Sequence, residues 1–186
     1  NRSLRLSSTE LQALSPASGR LRDFLGDACF QNGLYKPAES YGRGTPIIRI
    51  KDFDNGGYLN SESLFLVEVS IGEQKRYGVA KNDILVNRVN SISHVGKSTI
   101  VIQDSGPIVY ESNMIRLRIS QDSPLIPEYV ATVLQAEHIR RHLRRMAKPA
   151  VAQVSISQDD ILSLPIIVYA KDVQKRIYEV LRRWNV

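Results

Sequence analysis

Residues 81–97 read Lys81-Asn82-Asp83-Ile84-Leu85-Val86-Asn87-Arg88-Val89-Asn90-Ser91-Ile92-Ser93-His94-Val95-Gly96-Lys97, and the reading of the fold turns on them. Lys81-Asn82-Asp83 is a polar turn, while Ile84, Val86 and Val89 are strand formers at near-alternating positions. The segment therefore predicts a turn feeding a buried strand. Such a strand carries Arg88, Asn90, His94 and Lys97 to an exposed rim. A rigid scaffold bearing polar loops is how recognition surfaces are built.

Working outward, the chain from Leu21 to about Ser120 consists of short runs of Val, Ile and Tyr. They are punctuated by Gly33, Gly42, Gly44, Asn55-Gly56-Gly57, Gly72, Gly78, Gly96 and Ser105-Gly106-Pro107. That is the pattern of a many-stranded sheet or barrel. After Pro124 the period becomes helical, and Val130, Val133, Leu134, Ile139, Leu143 and Met146 predict one apolar stripe, with Pro127 in the first turn. Lys148-Pro149-Ala150 breaks this helix, Gln153 to Ser157 reads as a short strand, and Ser157 caps the turn Gln158 to Leu162. Val173, Ile177, Val180, Leu181 and Trp184 then mark one face of a last helix, which docks either on a partner or on the domain itself. Ser7-Ser8-Thr9-Glu10 is a capping-box pattern opening a short helix through Leu11 and Leu14. The expected organisation is a helical arm over 1–19, a recognition domain over 20–170 and the start of a connecting helix over 171–186. The fold class is α/β of the α+β kind: a mixed β-rich core with packed helices and a long C-terminal helix.

A chain of 186 residues, 42% hydrophobic, suits one domain with one substantial core. Twenty-five Lys and Arg against 19 Asp and Glu leave a net charge of +6. That balance favours a polyanionic partner, or is a solubilising excess. Cys29 is the single cysteine, so an intramolecular disulfide is excluded and a small core residue in a reducing compartment is expected. No apolar run is long enough to span a bilayer, and Asn1-Arg2-Ser3-Leu4 lacks the apolar core of a signal peptide. A soluble, cytoplasmic protein without membrane contact is expected. It lacks an initiator Met and ends within a helical pattern at Trp184-Asn185-Val186, as a piece of a longer polypeptide would.

Catalytic signatures fail one by one. Gly96-Lys97-Ser98 resembles the end of a phosphate-binding loop, but Ser91 stands where the motif requires glycine. His138 and His142 are one helical turn apart, yet Ile139-Arg140-Arg141 supplies no general base, and Arg144 and Arg145 repel a cation. Asp52-Phe53-Asp54-Asn55-Gly56 lacks the glutamate of a calcium loop, and the remaining aspartates fall mostly at turns or helix starts. No serine lies in a nucleophile-elbow context, and neither a dinucleotide signature nor the Asn/Asp-Pro-Pro-Tyr/Phe motif of adenine methyltransferases occurs. The chain reads as a non-enzyme with no cofactor of its own.

What remains is a set of side chains suited to DNA: Tyr41, Arg43, Thr45, Lys51, Lys75, Arg76, Arg88, Asn90, His94, Lys97, Ser98, Lys148 and Gln153. Arg matches guanine edges and Asn or Gln matches adenine, while Lys and Ser more often hold phosphates. Arg140, Arg141, Arg144, Arg145 and Lys148 form a solvated helix face or a phosphate grip. Arg49 and Arg116 lie within strand patterns and serve either as contacts or as buried ion-pair partners.

Several stretches carry a resemblance. Gly44-Thr45-Pro46-Ile47-Ile48-Arg49-Ile50-Lys51-Asp52-Phe53 precedes the deciding segment; Asn113-Met114-Ile115-Arg116-Leu117 and Ile126-Pro127-Glu128-Tyr129-Val130 follow it. Then come Val154-Ser155-Ile156-Ser157, Ile161-Leu162-Ser163-Leu164-Pro165-Ile166 and Gln174-Lys175-Arg176-Ile177. In order and spacing, over roughly residues 20 to 180, this resembles the target-recognition domain of type I restriction-modification specificity subunits. The resemblance implies a domain that reads one half of a split double-stranded target. It also implies that the last helix, through Val173, Ile177, Val180, Leu181 and Trp184, docks DNA methyltransferase subunits, which carry S-adenosylmethionine, with a restriction motor subunit joining that assembly. Three other readings stay open: the recognition end of a fused adenine-specific DNA methyltransferase, a protein-interaction module that binds no duplex, and, ranked last, a divergent nuclease that metal-dependent cleavage by the purified chain would reveal.

Overall fold

A computed structural model describes residues 16–54, 56–57, 59–61, 63–102, 106–150 and 153–184. The predicted helix through Leu11 and Leu14 lies outside the described residues, as do the side chains of Cys29 and Trp184.

The polar turn at the head of the deciding stretch is tight: Asn82 takes φ 72°, a conformation asparagine tolerates better than most residues. Asp83 in that turn is buried, accepting the Ala80 N–H at 2.8 Å and two guanidinium nitrogens of Arg118 at 2.7 and 2.6 Å. In chain order the elements are β1 (Ala17–Arg20), β2 (Cys29–Asn32), β3 (Tyr41–Ile48), β4 (Phe65–Val67), α1 (Ile71–Tyr77), β5 (Ile84–Asn87), β6 (Val89–Asn90), β7 (Ser98–Ile100), β8 (Val109–Tyr110) and β9 (Met114–Arg118). They continue with α2 (Pro127–Gln135), α3 (Glu137–Met146), β10 (Lys148–Ala150), β11 (Gln153–Ser155), α4 (Gln158–Leu162), β12 (Pro165–Val168) and α5 (Lys171–Trp184).

The central sheet runs β2-β9-β5-β7, all antiparallel, with Val86 opposite Ile115 and Ser98. Every residue of β5 is buried. The sequence pattern suggests alternation between core and solvent; instead the alternation is between two cores. Ile84 and Val86 join Ile115, Leu117, Val130, Leu134 and Leu143 on the helical side, whereas Leu85 joins Ile48, Phe53, Ile108, Tyr110 and Met114 beneath the second sheet, β4-β3-β8. A strand covered on both faces reads as a continuous apolar run.

The single helix expected after Pro124 is two. Ala136, at φ −61° and ψ 132°, ends α2 and begins α3. Leu134 and Ile139 are five residues apart, a spacing that rotates the second half of the stripe off the core side of a continuous helix. The break returns Ile139 and Leu143 to the core that already holds Val130 and Leu134.

Ala17, Ser18 and Gly19, placed in the arm by the sequence pattern, belong to β1, which pairs along its length with β12. The N-terminal cap of α4 is as expected: Ser157 Oγ accepts the Asp160 N–H and Asp160 Oδ2 accepts the Ser157 N–H, a capping box.

Candidate nucleic-acid interface

The strand β5 delivers the chain to a three-stranded sheet, β10-β11-β6, in which Asn90 lies opposite Val154, Val89 opposite Ser155, and Ser155 opposite Lys148. This brings Asn90, Lys148 and Gln153 into one small sheet although they lie far apart in sequence, with Asn90 on the face of Val154, Lys148 and Gln153 on the face of Ser155, and Arg88 at the sheet's edge. Arg88 is clamped through its backbone, its N–H donating to Asn113 O at 2.8 Å and its carbonyl accepting from Ile156 N–H at 2.8 Å. Its guanidinium makes no hydrogen bond or ion pair among the described residues. A fixed backbone under an unengaged guanidinium can meet a hydrogen-bond acceptor or an anion with little loss of conformational freedom.

The loop that follows is held at both ends. Val95 is fully buried, and Gly96 at φ 76° lies so close to α3 that an added Cβ would come within 2.8 Å of Leu143 Cδ1. Within the loop, Ser91 O accepts the N–H groups of His94 and Val95 at 3.0 and 2.9 Å. The Ser91 and Ser93 hydroxyls lie 3.0 Å apart and each 2.9 Å from His94 Nδ1. From α3, the largely buried Arg140 donates to Ser93 O at 3.3 Å, its guanidinium held below its ordinary pKa by burial and then by Arg144. The exposed residues of that helix include His138, Arg141, His142 and Arg145, beside the exposed Lys148. Arg144 is tied to Glu137 at 2.9 Å.

The expectation that Lys97 and Ser98 continue this exposed loop is corrected. Lys97 is 6% exposed, and its ammonium donates to Ile50 O at 2.7 Å and Phe53 O at 2.6 Å. Burial lowers its pKa, with Asp54 acting in the opposite sense. Ser98 is buried in β7 opposite Val86. The physical reason lies in the turn after β3, which folds over β7 and exposes its carbonyls to a donor from below. Lys97 thus ties residues 50–53, and with them the exposed Lys51, to the foot of the loop.

The remaining predicted contacts form a second group on β3 and α1. Tyr41 is half-buried, with its hydroxyl pKa raised by burial and then by Glu111. Thr45 is buried and its Oγ1 accepts from Gln74 Nε2 at 3.2 Å, so its place as a surface contact is corrected as well. Arg43 is exposed but engaged by Glu68 through Nε and Nη2 at 2.6 and 3.2 Å. Lys75 and Arg76 are exposed in the last turn of α1, Arg76 lying 5.4 Å over the Tyr77 ring. Arg116 is a buried core residue, bonded to Gly78 O and to Gln31 Oε1. Arg49 pairs with Asp52 and stacks 3.9 Å over the half-exposed Phe65 ring, which Lys51 also approaches at 5.4 Å. Among the described residues no His, Cys, Asp and Glu group could hold a metal ion, and no helix is long and apolar enough to cross a membrane.

The sequence profile of the type I restriction modification DNA specificity domain matches residues 24–184. The chain belongs to that family. It is 26% identical, over 87% of its length, to a Methanocaldococcus jannaschii protein assigned as the type I restriction enzyme MjaX specificity subunit, and 24% identical, over 90%, to the StySPI type I specificity subunit of Salmonella potsdam. It spans 37% and 40% of those relatives' lengths. The solved S subunit of a type I restriction-modification system from M. genitalium shares the fold over 98% of this chain and 41% of that one, at a TM-score of 0.62 and 14% identity.

Within this specificity domain three features of the candidate site are absent from the sequence expectations: Ile92, which is 52% exposed on the loop, Phe65 under Arg49, and the burial of Arg140 behind Ser93, where a solvated helix face or a phosphate grip is expected. Only Ile92 carried a signal, an apolar residue between two serines in a polar loop. The other two depend on contacts across 16 and 47 positions of sequence.

Proposed function

We propose that this specificity domain reads double-stranded DNA along the rim formed by β6, β10, β11, the loop 91–94 and the basic face of α3. The single observation that carries the reading is the backbone-clamped Arg88, its guanidinium unengaged among the described residues, at the edge of a small sheet that holds Asn90 on one face and Lys148 and Gln153 on the other. Arg141 and Arg145, exposed on α3, and Lys148, exposed at the start of β10, supply the sequence-independent grip on phosphates. The domain reads one half of a split target, and the exposed side of α5 docks methyltransferase subunits that bring S-adenosylmethionine; a restriction motor subunit joins that assembly. The chain is its recognition component and acts in the cytoplasm.

Equilibrium binding to duplex DNA over a range of salt concentrations tests the reading. Half a site gives weak affinity, because a second module normally adds avidity. The logarithm of the binding constant should fall against that of salt with a slope of about −0.9 for each phosphate neutralised. A flat response overturns the reading, and so does methyl transfer by this chain alone.

A further inference from the structure

We infer that residues 91–94 form a preformed knuckle that reads the C5-methyl group of a thymine in the major groove, through Ile92. The inference rests on the DNA-reading function proposed above and assigns one specificity contact within it.

A single exposed isoleucine needs no explanation by itself. Ile92 differs in its setting. The hydroxyls on either side of it, Ser91 and Ser93, are turned onto His94 Nδ1 at 2.9 Å, and Ser93 O is held by Arg140. Asn90 Oδ1 accepts the Ser91 N–H at 2.8 Å. The two hydroxyls, the Ser91 N–H and the carbonyls of Ser91, Ser93 and His94 therefore all have partners within the protein. Of its side chains, the knuckle offers a partner one branched apolar group, Ile92, 52% exposed, beside the His94 imidazole.

The rigidity matters. An apolar side chain on a mobile loop loses conformational freedom on contact, whereas one on a loop fixed by Val95, Gly96 and Arg140 loses little. In the major groove the thymine methyl is the apolar feature that distinguishes that base, and it is read by small apolar side chains. Arg88 and Asn90, immediately before the knuckle, place it next to residues suited to neighbouring base edges.

Uracil lacks only this methyl, which makes the test specific. Duplexes selected from a randomised library by the full chain are resynthesised with each thymine replaced in turn by uracil. We expect one position at which uracil weakens binding about fourfold, the effect of burying one methyl-sized group. Ile92→Ala should bind both versions alike, while Ile92→Val, which keeps the branch, should still discriminate. If a duplex is selected but no uracil position depends on residue 92, the knuckle inference fails and DNA reading stands. If Ile92→Ala weakens all sequences equally, the side chain acts as a non-specific contact and the inference also fails. If no duplex is enriched, both fail together.

Discussion

Lys97 Nζ lies 2.6 Å from the carbonyl oxygen of Phe53, 44 positions earlier in the chain, and 2.7 Å from that of Ile50. One buried ammonium thus closes the turn after β3 onto β7 and positions Lys51. Replacing it with methionine keeps most of the volume but strips two carbonyls of their donor. Lys97→Met should destabilise the domain by about 1–3 kcal/mol, the penalty for buried groups left unsatisfied. It should leave the salt slope of DNA binding unchanged in protein that remains folded. Thermal unfolding with binding titrations reads both, and a slope reduced by one would show that Lys97 faces DNA after all.

Arg88 and Arg43 look equivalent in sequence, but Glu68 neutralises Arg43 in an exposed pair while Arg88 has no such partner among the described residues. Arg88→Ala should cost about 1–3 kcal/mol of binding and relax preference at one base pair. Arg43→Ala should leave both the affinity and the preferred site near wild type. Library selection with each variant decides it; altered preference in Arg43→Ala with none in Arg88→Ala would move the recognition surface to β3.

Arg141, Arg145 and Lys148 are exposed cations beside the rim. Each replacement by Ala should lower the magnitude of the salt slope by about one and weaken binding to all sequences alike. A change in the preferred site would instead make the residue a base reader.

The parts of the fold legible in the sequence are those set by local chemistry: the Asn82-Asp83 turn, strand β5, the Ser157 cap and the end of α3 near Met146. What was illegible depends on partners far away. Val86 and Leu85 look like inside and outside residues until β3 and β8 cover the second face. Lys97 and Ser98 look like loop residues because the carbonyls of Ile50 and Phe53 leave no mark in the sequence around them. In the candidate site, the clustering of Asn90 with Lys148 and Gln153 rests on strand pairings between distant segments. The side-chain types were visible, but not which of them are already engaged.

Glu111 supplies a pH dependence. Its carboxylate accepts the Ile50 N–H at 2.5 Å, yet burial, the largest influence, raises its pKa above the usual 4.5, with that hydrogen bond and Arg49 opposing. The folded state therefore holds this proton more tightly than the unfolded chain does. The associated stability is fully present below the unfolded value and is lost as pH rises through the folded one. Glu111→Gln keeps an acceptor for Ile50 without titrating, so its stability should fall less than wild type as pH rises from about 4 towards neutrality. Parallel denaturation curves across that range test this, and identical pH profiles would exclude the contribution.

The apolar stripe of α5 divides into two parts. Ile177 is half-buried and packs on the helical core, and Gln174 between the two ends is fully buried, its amide donating to Pro124 O at 2.8 Å and Tyr169 O at 2.6 Å. Val180 and Leu181, one turn on, are 53% and 44% exposed. A charge at position 177 would enter the core side of the helix, whereas one at position 180 would stay in water. Ile177→Asp should therefore destabilise the domain by about 2–5 kcal/mol, in line with core truncations and buried unpaired charge. Val180→Asp should leave the fold within about 0.5 kcal/mol of wild type, as surface changes do. If the exposed half of the stripe is where a methyltransferase subunit docks, Val180→Asp should nevertheless abolish co-purification with that subunit. Circular dichroism and co-purification, measured on both variants, separate the two roles. Unfolding by Val180→Asp would place residue 180 in the core, and intact assembly by that folded variant would rule out docking through this part of α5.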